Sequence, residues 1–108
     1  MSLVVSIYEV TQRFPESERY GLIAQMRRAA VSIPSNIAEG KMRGTRRDYR
    51  HFLLASFGSG AELETQVEIV KQLAFGKGVD LQTIDALLGE VMRMLNVLIG
   101  KLGSDSGT

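Results

Sequence analysis

Two uninterrupted heptad seams decide most of what this chain can become. Tyr49, Leu53, Ser56, Gly60, Leu63, Val67, Val70 and Ala74 alternate in four- and three-residue steps. Leu81, Ile84, Leu88, Val91, Leu95, Leu98 and Leu102 do the same. That spacing lays a stripe of small and apolar residues along one face of a long helix, which must be covered by neighbouring helices at shallow angles. No stretch alternates apolar and polar residues as a half-buried strand would.

Two further segments carry the same period. The first spans roughly residues 2–13, with Val4, Ile7, Tyr8, Thr11 and Phe14 at helical steps. Phe14-Pro15 stops it, because the residue before proline is pushed out of helical geometry. The second spans roughly residues 18–39, with Ser17 as N-cap and Leu22, Met26, Ala29, Ile33 and Ile37 in one apolar row. Pro34 falls inside that row and predicts a kink rather than a stop. Gly40 is expected as the C-terminal cap. The third helix is predicted from Thr45, where Thr45-Arg46-Arg47-Asp48 resembles a capping box, to about Phe75 and Gly76. The fourth follows Asp80 as N-cap, with Val79 and Ile84 placed as a hydrophobic staple. Residues 103–108 read as a polar, flexible tail. Long heptad helices joined by short loops predict one all-α domain over residues 1–102, an antiparallel up-and-down four-helix bundle.

The 108 residues contain no cysteine, which excludes disulfides and thiolate metal sites and suits a reducing cytoplasm. The start lacks a basic region and a long apolar run, so it is no signal peptide. The most apolar stretch, Leu81 to Leu102, carries Asp85, Glu90 and Arg93 at its centre and does not suit a membrane span.

Two features point beyond a self-contained monomer. Leu54 and Phe57 on the third helix, and Leu87, Met94 and Val97 on the fourth, lie outside the seams and are expected in a subunit contact or under a neighbouring helix. The first helix is also less than half as long as the third, which leaves one end of the core open: either a partner covers it or the chain starts late.

Net charge is only +1, but it is unevenly spread. Arg19, Arg27, Arg28, Lys41, Arg43, Arg46, Arg47 and Arg50 are eight of the 13 basic residues, opposed after Glu18 only by Glu39 and Asp48. Lys41, Arg43, Arg46, Arg47 and Arg50 form a candidate phosphate-binding patch. Arginines at the start of a helix oppose its macrodipole, so stability alone does not explain Arg46 and Arg47. The competing reading pairs some of these cations with Glu39, Glu62, Glu64 or Glu68, or leaves them simply solvated.

Other constellations reduce to structural roles. Asp48 and His51 share one face at the spacing of half a di-metal site, but the remaining carboxylates and the second pair are missing, so no metal or cofactor is expected. Gly58-Ser59-Gly60 sits inside a heptad rather than after a strand, and reads as small residues that let helices approach rather than a phosphate loop. Ser32, Ser35 and Thr65 have no base nearby in sequence, and Glu62 and Glu64 stand two residues apart on a helix and do not face each other. No catalytic residue is predicted, and the chain is not expected to be an enzyme.

From Phe14 to Glu64 the chain resembles a known family. The matching residues are Phe14-Pro15, Glu18 to Leu22, the long run from Gln25 to Gly40, and Gly58 to Thr65. The family is the four-helix bundle proteins encoded in intervening sequences of bacterial large-subunit ribosomal RNA genes, and it includes the accessory variability protein of diversity-generating retroelements. Members usually begin earlier, with an aromatic-rich start to the first helix. The resemblance implies an up-and-down bundle, assembly with itself as a homopentamer, nucleic-acid binding through a basic surface, and a protein partner such as a reverse transcriptase. The expectation is a non-catalytic, homo-oligomeric protein binding RNA or DNA, RNA foremost. The alternative is a homopentameric protein–protein adaptor or scaffold with no nucleic-acid role.

Overall fold

The computed structural model describes residues 2–106. Four α-helices carry the fold: α1 (Ser2–Thr11), α2 (Ala24–Arg43), α3 (Arg46–Gln72) and α4 (Gln82–Ser106). No strand occurs among the described residues. The helices form a rod of 51 × 21 × 19 Å.

Paired contacts fix the directions. Along α2 and α3, Gly40 faces Tyr49 and Phe52, Ile33 meets Ser56, Ser32 meets Ser59, and Arg28 reaches Glu62. Numbers fall on one helix as they rise on the other, so the pair is antiparallel. Along α3 and α4, Arg50 lies against Gly103, Met92 against Gly60, and Lys71 against Asp85, again antiparallel. The end of α1 is tied to the start of α2, where Arg27 Nε donates to Thr11 Oγ1 at 2.9 Å and its guanidinium lies 4.5 Å over the Tyr8 ring. Phe14 meets Phe75 with ring centroids 5.0 Å apart. The ten residues of α1 therefore run alongside only the end of the rod that holds the α3–α4 connection.

The core is the one the seams describe. Leu53, Leu63, Val67, Val70, Leu81, Ile84, Leu88 and Leu95 are buried with Leu3, Ile7, Met26 and Ile33. Each fully buried aliphatic side chain contributes about 1.5–3 kcal/mol of transfer free energy. Val91, Leu98 and Leu102 are half-buried. Where α2 and α3 cross, small polar residues replace aliphatics. Ser56 Oγ, fully buried, donates to the Ile33 carbonyl at 2.9 Å, and Ser32 and Ser59 share a 2.8 Å hydrogen bond. Gly60 admits Met92, whereas Gly58 points to open space, so only one glycine of the Gly58-Ser59-Gly60 run serves close approach.

Several boundaries differ from expectation for identifiable reasons. The predicted start of the second helix is a 3-10 turn (Glu16–Glu18) followed by a π-helical turn (Arg19–Ile23), distorted at Gly21 with φ −102° and ψ −109°. Glu18, not Ser17, caps it, accepting the Leu22 N–H at 3.5 Å. The helix passes through Pro34 and ends at Arg43, past Glu39. Gly40 is buried inside it, and the cap is Gly44, whose φ of 82° only glycine adopts readily. At the end of α3 the chain turns at Leu73 into a 3-10 segment (Ala74–Gly78), so the third helix stops short of Phe75. There Gly76 presses against the Val70 carbonyl, a contact that no side chain would permit. Thr45 caps as expected, accepting the Asp48 N–H at 3.1 Å, whereas Asp80 stands one residue before the cap position of α4 and takes the Gln82 N–H at 3.0 Å. Helix α4 continues through Gly103 to Ser106, into the segment expected as a flexible tail. Residues 107 and 108 lie outside the described part.

Candidate nucleic-acid interface

The α2–α3 connection is a two-residue turn at one end of the rod. Gly44 reverses the chain, and Thr45 starts α3 by taking the Asp48 N–H on its hydroxyl. Lys41 and Arg43 close α2, and Arg46 and Arg47 open α3, so the turn gathers four cations at one end. Because α4 is antiparallel to α3, its C-terminal turns come to the same end and bring Lys101 with them. The opposite end carries Glu16, Glu18, Arg19, Lys77 and Asp80 in mixed sign.

The five predicted phosphate ligands share this end but not one environment. Lys41, Arg46 and Arg47 are exposed. Arg47 has no partner among the described residues, and Arg46 makes a polar contact of its own. Arg43 Nε donates to Glu39 Oε2 at 3.0 Å, and its guanidinium lies 5.0 Å over the Phe52 ring. Lys41 and Arg43 also stand where the macrodipole of α2 favours cations, so helix stability accounts for part of their presence. The macrodipole accounts for neither Arg46 nor Arg47, because the N-terminus of α3 is itself a positive pole. Arg50 departs most from expectation. It turns along the flank of α3 to pack its guanidinium on the bare backbone of Gly103, and its Nε is buried without a partner.

The competing ion pairs are sparse. Arg28 approaches Glu62 at 3.9 Å with both side chains largely in solvent, a geometry worth little. Arg27 reaches from α2 to α1, donating to Thr11 Oγ1 and the Tyr8 carbonyl. Glu68 is taken by Lys71, which also binds Asp85 at 2.9 Å and so links α3 to α4. The hydrogen bonds to Asp85 first, then Glu68, raise the Lys71 ammonium above the usual lysine range. His51 is exposed beside Arg47 and stands edge-on to Phe52 at 5.3 Å.

Sequence reasoning missed a recess at this end. Between the last turn of α2 and the first of α3 lies a shallow cavity of about 330 Å³, lined by Gly40, Lys41, Gly44, Thr45, Arg46 and Tyr49. Tyr49, expected wholly inside, is half-buried and forms one of its walls. The predicted interface residues also divide. Leu54, Met94 and Val97 are exposed at 44%, 45% and 54%, whereas Phe57 and Leu87 pack partly onto the core.

Among the described residues no group of three or more His, Asp or Glu side chains is placed to hold a metal ion. No helix there is long and apolar enough to cross a membrane. One comparison with known proteins is informative: the model of a family described as "23S rRNA-intervening sequence protein" matches residues 1–97. No curated protein matches the chain.

Proposed function

Because this chain belongs to the family of 23S rRNA-intervening sequence proteins, we propose that it is a non-catalytic, homo-oligomeric bundle that binds nucleic acid, RNA foremost, through its basic end. The observation that carries this reading is the placement of Arg46 and Arg47. They stand exposed at the start of α3, where helix stability disfavours them, and are not buried against Glu39, Glu62 or Glu64.

Phosphate oxygens are the ligand such a surface suits. The exposed cations at one end, with the positive pole of α3 behind them, supply charge without a base-reading element in a groove. They act by neutralising phosphates and releasing condensed counterions, which gives affinity with little sequence preference. Lys41, Arg46 and Arg47 carry the contact. Arg43 contributes through the charge it shares with Glu39, and Arg50 steadies the contact of α3 with the last turns of α4.

Association of the protein with itself is supported by the exposed Leu54, Met94 and Val97, apolar side chains that a subunit contact would cover; the number of five subunits is what the resemblance implies. The same residues favour a second reading, a scaffold that docks a protein such as a reverse transcriptase and binds no nucleic acid. Replacing Lys41, Arg46 and Arg47 together with alanine separates the two. Nucleic-acid binding predicts that the variant loses most of its affinity for an RNA hairpin while helicity and particle size stay the same. A variant that binds as well as the unaltered protein would favour the scaffold.

A further inference from the structure

The recess at the basic end is built for something smaller than a helix of RNA. Gly40 brings α2 so close to α3 that a Cβ there would stand 3.0 Å from Tyr49 Cδ1, so the tyrosine ring packs against bare backbone. Gly44 then turns the chain so that Lys41 from the end of α2 and Arg46 from the start of α3 both line the recess. The result is one aromatic ring and two cations lining a recess of about 330 Å³. That volume is at the low end of the range for small-molecule sites, enough for one planar group.

We infer that this recess receives a single unpaired nucleotide, its base against Tyr49 and its flanking phosphates on Lys41 and Arg46, so that the preferred ligand is RNA with a bulged, looped or terminal unpaired base. This rests on the nucleic-acid reading above and narrows it. The chemistry selects for it in two ways. Every base has a face that stacks on an aromatic ring, whichever base it is, so the recess adds affinity without sequence specificity. A base held in a continuous duplex is already stacked and paired, and drawing it out costs more than an unpaired base requires. A duplex therefore touches only the cations, whereas an RNA with a splayed base touches the cations and fills the recess.

The test compares two RNA hairpins, identical except for one bulged adenosine in the stem of the second, by fluorescence anisotropy with the full chain. The bulged hairpin should bind about tenfold more tightly, the range for one base stacked on an aromatic side chain. Tyr49→Leu should bring the two affinities together while leaving the plain hairpin and its salt dependence unchanged, and Tyr49→Phe should keep the preference. A second measurement needs no variant. With 2-aminopurine at the bulge, binding of the unaltered protein should change its emission, and the same label inside the paired stem should not respond. Equal affinity for the two hairpins, a preference that survives Tyr49→Leu, or a silent 2-aminopurine at the bulge would overturn the inference while leaving phosphate binding in place. Failure to bind either hairpin would remove the nucleic-acid reading and this inference with it.

Discussion

Gly58 and Gly60 stand two residues apart in α3 and should respond to the same substitution in opposite senses. A Cβ added at Gly58 meets nothing within 4 Å, whereas one added at Gly60 would overlap Met92 Sδ of α4. Alanine in place of a mid-helix glycine restores about 0.5–1 kcal/mol. Gly58→Ala should therefore stabilise the protein by about that amount, raising Tm by roughly 4–8 °C per kcal/mol for a domain near this size. At Gly60 the same backbone gain is set against displacing Met92. The clash falls on the flexible end of a side chain, so the site gives way at an overpacking cost of about 1–3 kcal/mol. The balance is a net loss of about 0–2.5 kcal/mol. Thermal unfolding followed by circular dichroism measures both, at one protein concentration because subunit association shifts Tm. In a Met92→Ala background the clash is gone, and Gly60→Ala should become stabilising, so the two sites form a coupled pair. If Gly60→Ala stabilised the natural protein as much as Gly58→Ala does, Met92 would not rest on Gly60 and the α3–α4 register would be wrong.

Further outcomes follow from single contacts. Gly44→Ala forces a left-handed backbone on a residue with a Cβ and should cost about 1–2 kcal/mol in chemical denaturation, with helix content retained. Ser56→Ala leaves the Ile33 carbonyl without its side-chain donor and should cost about 1 kcal/mol, read by urea midpoint at constant slope. Arg27→Ala removes the tie between α2 and the end of α1, so hydrogen exchange should quicken in α1 before any other helix. Lys71 is held protonated by Asp85 and Glu68, so its contribution to stability is complete below the ordinary lysine pKa and lost as pH rises through the elevated one. Relative to Lys71→Met, the natural protein should lose its advantage in Tm only above about pH 10.4.

The seams made the helices legible. Burial of Leu53, Leu63, Leu88 and Leu95 follows directly from their three- and four-residue spacing. The ends of elements were less legible, and glycine is the reason. Gly40 and Gly44 both follow an apolar row, and local sequence cannot tell a glycine kept for a left-handed cap from one kept for close packing; only the approach of Tyr49 and Phe52 separates them. The π-helical turn at Arg19–Ile23 left no periodic trace, because it inserts a register change where the row at Leu22 and Met26 still looks regular. The basic cluster was visible as composition, but its division was not. Which arginine points to water and which lies on Gly103 depends on how α4 is set against α3, a property of two distant segments. The recess was invisible for the same reason, since Tyr49 belongs to the seam by spacing and to the surface by position.

The most direct test of the central claim is the salt dependence of RNA binding. The logarithm of the association constant for an RNA hairpin should fall linearly with the logarithm of salt concentration, by about 0.7–0.9 for each neutralised phosphate. Replacing Lys41, Arg46 and Arg47 with alanine should make that slope shallower by roughly 2–3. An affinity indifferent to salt, or a slope that the three substitutions leave unchanged, would contradict the account.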